Sequence, residues 1–441
     1  MKLTIFHSEE GDCLLLTSQA GKKILVDGGT STAFKNNIAQ LLPAAAAGKL
    51  DLVCVSHIDS DHIGGVLLLL EDLVAWRQYD YQVGTGNAGF PHPASPRPPE
   101  VKAIWHNGFK DMVGDNSAAI QDQLVANLMV LNADVGVVGE AMAAAAPGVS
   151  RLATSIRESL VLSSRAGMQQ LGLQVNAEFD GRTILTPAAP AAVPFGDLQI
   201  CIIGPSEASL TKLRQDWNKW LQNNQQSVEK IRRDMQEEGP LNQSAKDTQA
   251  MGAMAEAFRL AAQLRLTAAE LGNRKLVTPP NLASLMFLVK EDGKTVLMTG
   301  DGHYQDILDG LRQQNLLDVS GRLHLDVLKV QHHGSEHNIH PDFCKAVTAD
   351  HYVFCGNGAN LNPDLDVLQT ILDSRLTPGE SPLAAGRPFK FWFSCRPSQA
   401  GVSGNIGHLQ QVQALVKAAA AASGGRLKVR LPSGGKLVLT L

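Results

Sequence analysis

The chain has 441 residues, 44% of them hydrophobic and 19% charged, an ordinary globular composition that can bury a large core. Its formal net charge of −4 gives no global positive field of the kind that draws proteins to long nucleic acid. No apolar run reaches ~18 residues and the first residues lack a signal peptide, so we expect a cytoplasmic protein without a membrane span. The six cysteines form no CxxC motif and several lie in apolar runs, which predicts buried reduced thiols.

The first part of the chain alternates predicted strands and helices. Apolar, β-branched runs bounded by Gly, Asp or Asn predict strands in LTIF, CLLLTS, KKILV, DLVCVS and VKAIW. The segments FKNNIAQLLPAAAAG and IGGVLLLLEDLVAW predict helices. Residues 83–100 are rich in Pro and Gly, and this length of loop predicts an active-site flap.

The rest of the chain returns to strands after long helical segments. Residues 112–175 are predicted to be helical, DLQICIIG is a strand, and 205–280 is a polar helical insertion or lid through which a protein partner could bind. After it, strands resume with a hairpin around Glu291–Gly293, and the last residues, RLKVRLPSGGKLVLTL, predict a hairpin that turns at Gly434–Gly435. We therefore expect one α/β domain over 1–441, with halves of about 1–205 and 280–441.

One short stretch concentrates groups that can bind metal. In CVSHIDSDHIGG, two histidines and two aspartates, His57, Asp59, Asp61 and His62, follow a predicted buried strand. These are too many ligands for one structural zinc ion, which is usually closed by four ligands and often uses cysteine. Divided between two ions they suit an open dinuclear site.

Further groups follow other predicted strands. Asp27 comes after KKILV, Asp301 comes after TVLMTG, and the pair His332 and His333 comes after VLKVQ. Because the carboxyl ends of strands build the sites of α/β layers, this recurrence predicts that the side chains converge. A site for two ions also needs a shared carboxylate and further histidines, and these strand ends supply both kinds of group.

The strings LVDGG, VSHIDSDHIGG, TGDGH and VLKVQHHGS together resemble the metallo-β-lactamase superfamily. Within it they are most similar to the branch that contains the hydrolase domain of the DNA-uptake channel protein of competent bacteria. The resemblance covers most of the chain but thins over 110–190 and 205–275. It implies a four-layer αβ/βα sandwich with helical insertions and with metals at the edge between two sheets.

The resemblance also implies roles for single residues. His57 and Asp59 would bind the first ion, and Asp61, His62 and His333 the second, with Asp301 as the bridge between them. Asp27 would hold the ligand loop by hydrogen bonds. His332 is either a ligand or a phosphate contact, and we favour the contact; Ser335 would contact the substrate as well.

Two departures from the family pattern bear on the metal. Asp59 stands where the family motif often has a histidine, which shifts the preference toward harder ions such as Mn²⁺, although Zn²⁺ stays favoured. The family's middle ligand has no obvious counterpart. His106 is our candidate because it also follows a strand; Asn107 could take its place, otherwise contacting substrate, and His92 could cap the site.

These residues predict a hydrolase that uses a hydroxide bound to two divalent metal ions. Both the HHGS string and the branch resemblance favour phosphodiester bonds of nucleic acid or nucleotides, with catalytic roles for Asp61, Asp301 and His332. The sequence has no GxSxG motif, which argues against a serine hydrolase. It also has no GK[ST] phosphate-binding loop of the kind that holds nucleoside triphosphates. The alternatives are hydrolysis of a lactone or thioester, and a non-catalytic binding module on the same scaffold.

Overall fold

A computed structural model describes residues 1–108, 158–159, 161–168, 170–211, 215, 283–376 and 380–441. Most of the predicted helices of 112–175 and nearly all of the insertion at 205–280, with its partner surface, therefore lie outside the described residues. The strands are β1 Lys2–Phe6, β2 Leu14–Thr17, β3 Lys23–Val26, β4 Lys49–Leu50, β5 Leu52–Cys54, β6 Glu100–Val101, β7 Ala103–Trp105, β8 Gln174–Val175, β9 Val193–Phe195, β10 Leu198–Gly204, β11 Met286–Glu291, β12 Lys294–Met298, β13 Leu323–Lys329, β14 Val347–Phe354, β15 Phe389–Phe393, β16 Leu427–Arg430 and β17 Lys436–Thr440.

The helices lie between these strands. They are α1 Ser31–Ala33, α2 Leu42–Ala45, α3 Ser60–Gly84, α4 Tyr304–Gln313, α5 Pro341–Ala346, α6 Leu365–Leu376 and α7 Ile406–Ala422, with a π-helical turn at Phe34–Ile38. Short 3-10 turns occupy Ala177–Phe179, Gln331–Gly334, Glu336–Asn338, Ala359–Leu361, Pro382–Ala384 and Pro397–Gln399. No helix among the described residues is both long and apolar enough to cross a membrane.

The strands form two large sheets and a small one. The first sheet has the order β17-β1-β2-β3-β5-β7-β8, and the second has the order β16-β15-β14-β13-β12-β11-β10-β9. In each sheet antiparallel strands at one side give way to parallel strands: β3, β5 and β7 run parallel in the first, as do β12 to β16 in the second. Strands β4 and β6 pair separately.

Alternation along the strands divides the core into three clusters. In β2, Leu14 and Leu16 join a cluster with residues of the second sheet, whereas Leu15 packs with the helical residues Phe34 and Leu69. The second sheet behaves in the same way: alternate residues of β10 face the first sheet or pack with α4 to α7. This period of two is the expected signature of strands that are buried on both faces. The result is a mixed α/β architecture with apolar contact between the sheets.

The predicted C-terminal hairpin is wrong. Strand β16 pairs in parallel with β15 of the second sheet, whereas β17 pairs antiparallel with β1 of the first, so that Lys2 faces Thr440. Alternating residues on both sides of a Gly-Gly pair suit a hairpin, but they do not exclude two strands with separate partners. The connection through Gly435 instead crosses from one sheet to the other, and its carbonyl accepts a hydrogen bond from the His7 amide.

The proline-rich loop at 83–100 packs far from the strand ends. Trp76 donates to the Ser95 carbonyl, and the His92 ring lies 4.6 Å from the Trp76 ring. Arg97 stacks over the same ring at 4.2 Å. Because α3 rises about 1.5 Å per residue, Trp76 lies ~21 Å along the helix from His62. The loop covers the distal end of α3, which leaves His92 no role as a cap.

Candidate metal centre

The candidate site lies where strand ends of both sheets meet. From the first sheet, His57 follows β5 and Asp27 follows β3; from the second, Asp301 follows β12, and His332 and His333 follow β13. Each of these strands ends in buried residues, and the polar residues of the site follow shortly after. The predicted convergence of strand-end residues is thus what the structure has.

Close backbone contact fixes the start of α3 beside β3. A side chain on Gly65 would lie 2.0 Å from the carbonyl oxygen of Gly28, closer than any real contact. Two backbone hydrogen bonds join these segments, from the Gly28 amide to the His62 carbonyl at 2.8 Å and from the Gly65 amide to the Gly29 carbonyl at 2.9 Å. The IGG sequence thereby holds His62 against the loop that carries Asp27.

The carboxylate of Asp301 is the centre of the site. Four histidines direct their Nε2 atoms at it: His62 lies 3.4 Å from Oδ1, and His57, His332 and His333 lie 3.7, 3.6 and 3.5 Å from Oδ2. These separations are too long for hydrogen bonds. They match the spacing of ~3.4 Å between donor atoms that each stand about 2.1 Å from a tetrahedral zinc ion.

The two histidines from the first sheet are oriented by one serine and one aspartate. The Ser56 hydroxyl donates to Asp27 Oδ2 at 2.7 Å, and its oxygen lies 3.1 Å from His57 Nδ1, so it can accept a hydrogen bond from an Nδ1–H group there. His62 Nδ1 lies 2.9 Å from the same Asp27 oxygen. Each ring is therefore held through Nδ1 with Nε2 turned toward Asp301. This is the usual arrangement around metal-binding histidines.

Of the two histidines that follow β13, His332 is held by a hydrogen bond at Nδ1, whereas His333 faces a carboxylate there without a hydrogen bond. His332 Nδ1 lies 2.6 Å from Asn338 Oδ1, and His333 Nδ1 lies 3.3 Å from Asp12 Oδ1. Asp61 comes from the start of α3, and its Oδ2 stands 3.3 Å from His333 Nε2. The carboxylate of Asp59 approaches His57 Nε2 at 3.7 Å.

Several nitrogen and oxygen atoms of this group that could bind a metal ion are buried without a hydrogen-bond partner. They are His57 Nε2, His62 Nε2, His333 Nε2 and Asp301 Oδ1. Leaving such atoms unsatisfied in a protein interior costs about 1–3 kcal/mol each. Ligand atoms of Asp12, His62, Asp301 and His333 all lie within 4.8 Å of one another. Imidazole and carboxylate groups with unfilled lone pairs at this spacing fit divalent cations.

Electrostatics in the cluster follow from burial and mutual charge. Burial lowers the pKa of His57 to about 3, with the neighbouring His62 acting in the same direction. Burial would also lower the pKa of His62 and of His333, but Asp301 and other carboxylates outweigh it and raise both. Burial alone would raise the pKa of Asp301, yet the histidines lower it well below its usual range. The carboxylate is ionised and available as a ligand.

Two charged residues of the site escaped the sequence analysis. Asp12 and Lys329 form an ion pair and are almost fully buried, and Lys329 also donates to the Gly300 carbonyl at 2.8 Å. Burial would raise the pKa of Asp12, but Lys329 and then His333 lower it. A lysine inside the apolar run LDVLKVQ was the available signal, because lysine is almost never buried unless paired.

His106 and Asn107 lie beside a different segment. Asn107 Oδ1 accepts a hydrogen bond from the Ile184 amide at 2.8 Å, and Asn107 Nδ2 donates one to the Ile184 carbonyl at 2.9 Å. His106 Nε2 lies 3.4 Å from the Ser159 hydroxyl, its Nδ1 has no hydrogen-bond partner, and burial lowers its pKa to about 4. Ser335 is buried after the HHG turn, where its amide donates to the His332 carbonyl.

Comparison with protein families finds a match in the first part of the chain. Residues 9–75 match the family model described as the metallo-beta-lactamase superfamily. The match contains Asp12, Asp27 and the stretch from His57 to His62, and it ends before the residues that the second sheet contributes. No curated protein matches the chain. Members of this superfamily are generally hydrolases, and with the ligand cluster the match indicates a metal-dependent hydrolase.

Proposed function

We propose that this chain hydrolyses phosphodiester bonds of nucleic acid or nucleotides with the help of two divalent metal ions. The observation that carries the proposal is the Asp301 carboxylate, which has four histidine Nε2 atoms within 3.4–3.7 Å. A single carboxylate approached on both oxygens is suited to bridge two ions. We propose Zn²⁺ as the native ion and Mn²⁺ as the alternative, because the ligands mix nitrogen and oxygen.

The residues divide between the two proposed ions by the aspartate that each histidine faces: Asp59 lies 3.7 Å from His57, and Asp61 lies 3.7 Å from His62 and 3.3 Å from His333. His57 and Asp59 would hold the first, and Asp61, His62 and His333 would hold the second. When bound, such ions acidify water and neutralise charge that develops on a phosphoryl oxygen. Burial would raise the pKa of Asp61, but His62 and His333 lower it, so Asp61 fits a ligand better than a proton donor.

The chain's own residues orient this centre. Asp27 and Ser56 fix the rings of His57 and His62, and Asp12 faces His333, so these side chains are ordered before a substrate arrives. Positioned groups of this kind lower the reorganisation that a reaction requires. We also propose that Ser335, on the turn after the histidine pair, contacts the phosphate.

The coarse architecture supports a finer proposal about the fold. Three apolar clusters, one between the two sheets and one between each sheet and its helices, are what a four-layer αβ/βα sandwich requires. We propose this sandwich, in one cytoplasmic domain with a helical insertion at 205–280. The VSHIDSDHIGG and VLKVQHHGS strings support placement in the branch of the DNA-uptake hydrolase domain.

Replacing Asp301 by alanine tests the mechanism. We expect wild-type protein to contain about two metal ions per chain by elemental mass spectrometry and to hydrolyse bis-p-nitrophenyl phosphate with Zn²⁺ or Mn²⁺. Asp301→Ala should lose the second ion and at least 10²-fold in turnover, because the shared ligand is gone. Asp350→Asn, an ion-paired aspartate on β14, is the control and should keep both.

Each other outcome excludes part of the proposal. Two bound ions without phosphodiester turnover would reject the substrate class and favour a lactone or thioester. A wild-type protein without metal would reject hydrolysis altogether and favour a binding module. Full turnover in Asp301→Ala would reject the shared carboxylate.

A further inference from the structure

We propose that Asn338 is a positioning residue that fixes the tautomer of His332, and that His332 thereby binds metal rather than substrate phosphate. The inference rests on the proposed function, because it assigns a ligand of the same centre. It replaces the phosphate contact that the sequence suggested for His332. Asn338 lies on the turn after the HHGS string and is completely buried.

The orientation of the Asn338 amide follows from its partners. Its Nδ2 donates to the carbonyl oxygens of Asp301 and Gly302, at 2.8 and 3.2 Å. Carbonyl oxygens only accept, so the nitrogen must point at them, and the amide cannot be flipped. The remaining atom, Oδ1, therefore faces His332 as an acceptor.

The amide in turn decides which nitrogen of His332 carries the proton. Asn338 Oδ1 lies 2.6 Å from His332 Nδ1, and two acceptors at that distance would repel, so Nδ1 carries the hydrogen. In the neutral ring the lone pair is then on Nε2, which stands 3.6 Å from Asp301 Oδ2. This is the tautomer that a metal ligand bound through Nε2 requires.

The backbone turn explains how two adjacent histidines reach one carboxylate. His332 and His333 have positive φ angles of 46° and 56°, and Gly334 follows at 89°. Left-handed conformations are uncommon for residues with a Cβ atom, and they occur mainly where the surroundings enforce them. Adjacent side chains of an extended strand would point to opposite faces. The turn instead directs both rings at Asp301.

His332 also supplies what the first ion lacks. The sequence suggested His106 or Asn107 as a further ligand without assigning it to an ion, and Asn107 bonds with both ends of its amide to the Ile184 backbone. His57, His332 and His333 approach the same oxygen of Asp301, at 3.7, 3.6 and 3.5 Å, but His333 also faces Asp61 at 3.3 Å, which places it with the second ion. We therefore assign His332 to the ion that His57 and Asp59 would hold.

Cobalt titration of matched variants tests the assignment. The full chain, stripped with a chelator, is titrated with Co²⁺ and followed by its visible absorption. We expect His332→Ala to lose one of two sites and Asn338→Ala to weaken that site by about 10–100-fold. Asn357→Ala is the control: Asn357 is equally buried and its amide donates to the Ala400 carbonyl and the Ser403 hydroxyl, so both sites should persist.

A second measurement uses the unaltered protein, so it does not depend on whether a variant folds. Long-range ¹H–¹⁵N spectra of the metal-free chain should find the His332 proton on Nδ1, and Zn²⁺ should shift the Nε2 resonance. A proton on Nε2, or an Nε2 resonance that Zn²⁺ leaves unmoved, overturns the inference. So does wild-type affinity at both sites in His332→Ala.

These results separate the inference from the proposed function. Two ions that bind through His332 without phosphodiester turnover would reject the function and support the inference. Two bound ions and normal turnover, with a His332 Nε2 resonance that Zn²⁺ does not shift, would support the proposed function and reject the inference. A wild-type chain that binds no Co²⁺ rejects both.

Discussion

Lys329 is a buried cation whose neighbours are mainly carboxylates. It pairs with Asp12, and its Nζ lies 3.7 Å from Asp301 Oδ1. In the metal-free chain Lys329 therefore compensates charge at the point where carboxylates of both sheets approach each other. Removing one partner of a buried pair leaves an uncompensated charge in a medium of low dielectric constant.

We expect Lys329→Met to lower the free energy of unfolding of the metal-free chain by about 3–5 kcal/mol. Urea denaturation in the presence of a chelator measures this. The control is Lys294→Met, because Lys294 is partly exposed and pairs with Asp326 at a surface position. Such pairs contribute ~0–1 kcal/mol. Equal losses in the two variants would contradict the role of Lys329.

The sequence predicted those residues of the site that follow apolar strands in recognisable motifs, and it missed those that stand alone in the sequence. The stretch from His57 to His62, with Asp301, His332 and His333, could be found because polar residues followed apolar strands. Asp12 and Asn338 could not, because an isolated aspartate or asparagine resembles any turn residue. Their significance comes from partners far along the chain, which spacing does not encode.

The start of helix α3 depends on glycine at the contact with the loop after β3. An alanine at 65 would place its Cβ 2.0 Å from the Gly28 carbonyl oxygen and 2.9 Å from Phe34 Cβ. The helix would have to move away, and His62, three residues earlier, would move with it.

We expect Gly65→Ala to cost about 1–3 kcal/mol of stability, as overpacking does, and to weaken Zn²⁺ binding. Gly84→Ala, at the other end of the same helix, is the matched control, since nothing lies within 4 Å of its Cβ position. It should be neutral or slightly stabilising, because alanine is the better helix former. Calorimetric Zn²⁺ titration and thermal melting measure both effects. Unchanged Zn²⁺ affinity in Gly65→Ala would contradict the coupling.

Asp350 links strand β14 to its neighbours. It pairs with His324 of β13 at 3.0 Å and with Arg387, just before β15, at 3.0 Å. Burial would raise the pKa of Asp350, but these two partners lower it well below its usual range. A carboxyl whose pKa is depressed by folding stabilises the protein above its unfolded pKa of ~3.9, and that contribution is lost as the pH falls.

We therefore expect wild type to be more stable than Asp350→Asn at pH 6. The difference should shrink as the pH drops below about 4, because the carboxyl then takes up a proton in the unfolded chain while it stays ionised in the folded one. Urea midpoints at a series of pH values between 6 and 2.5 measure this. A difference that stays constant over the series would show that Asp350 is not the titrating group.

The local sequence pattern predicted individual strands and loops, but it did not predict which other elements they pair with or pack against. The hairpin of β11 and β12 around Asp292 is confirmed, since Glu291 faces Lys294 across the turn. The same reasoning failed for β16 and β17. The alternation of apolar and polar residues identifies a strand, but it does not determine which sheet that strand joins. The proline-rich loop failed for a related reason: its composition identifies a loop, but Trp76 and Tyr79 on α3 determine where it packs.

Over the whole molecule, the candidate centre joins two sheets whose facing sides pack mainly through apolar side chains. His57 and His62 lie on the loop and helix that follow β5 of the first sheet, and Asp301, His332 and His333 lie on loops that follow strands of the second. An ion held by both would bind the folded chain and not the unfolded one. Such binding stabilises by about 2.7 kcal/mol when the ligand is present at 100 times its dissociation constant.

We expect the Tm of the chelator-treated chain to rise with Zn²⁺ concentration, and the rise to be absent in Asp301→Ala. Differential scanning calorimetry at several Zn²⁺ concentrations measures it, with Mg²⁺ at equal concentration as the control, because Mg²⁺ is a poor partner for imidazole. A Tm that does not depend on Zn²⁺ would contradict a centre shared between the sheets.

The pairing of β1 with β17 has a consequence for synthesis on the ribosome. Strand β1 is translated long before its partner on one side, which is formed by Lys436–Thr440. At ~5–20 residues per second, translation delays that partner by roughly 20 to 90 s. During this time β1 presents an open edge of the kind that pairs with other chains. The nascent chain therefore carries an aggregation-prone edge until its last strand emerges, and chaperone capture would be most useful in that interval.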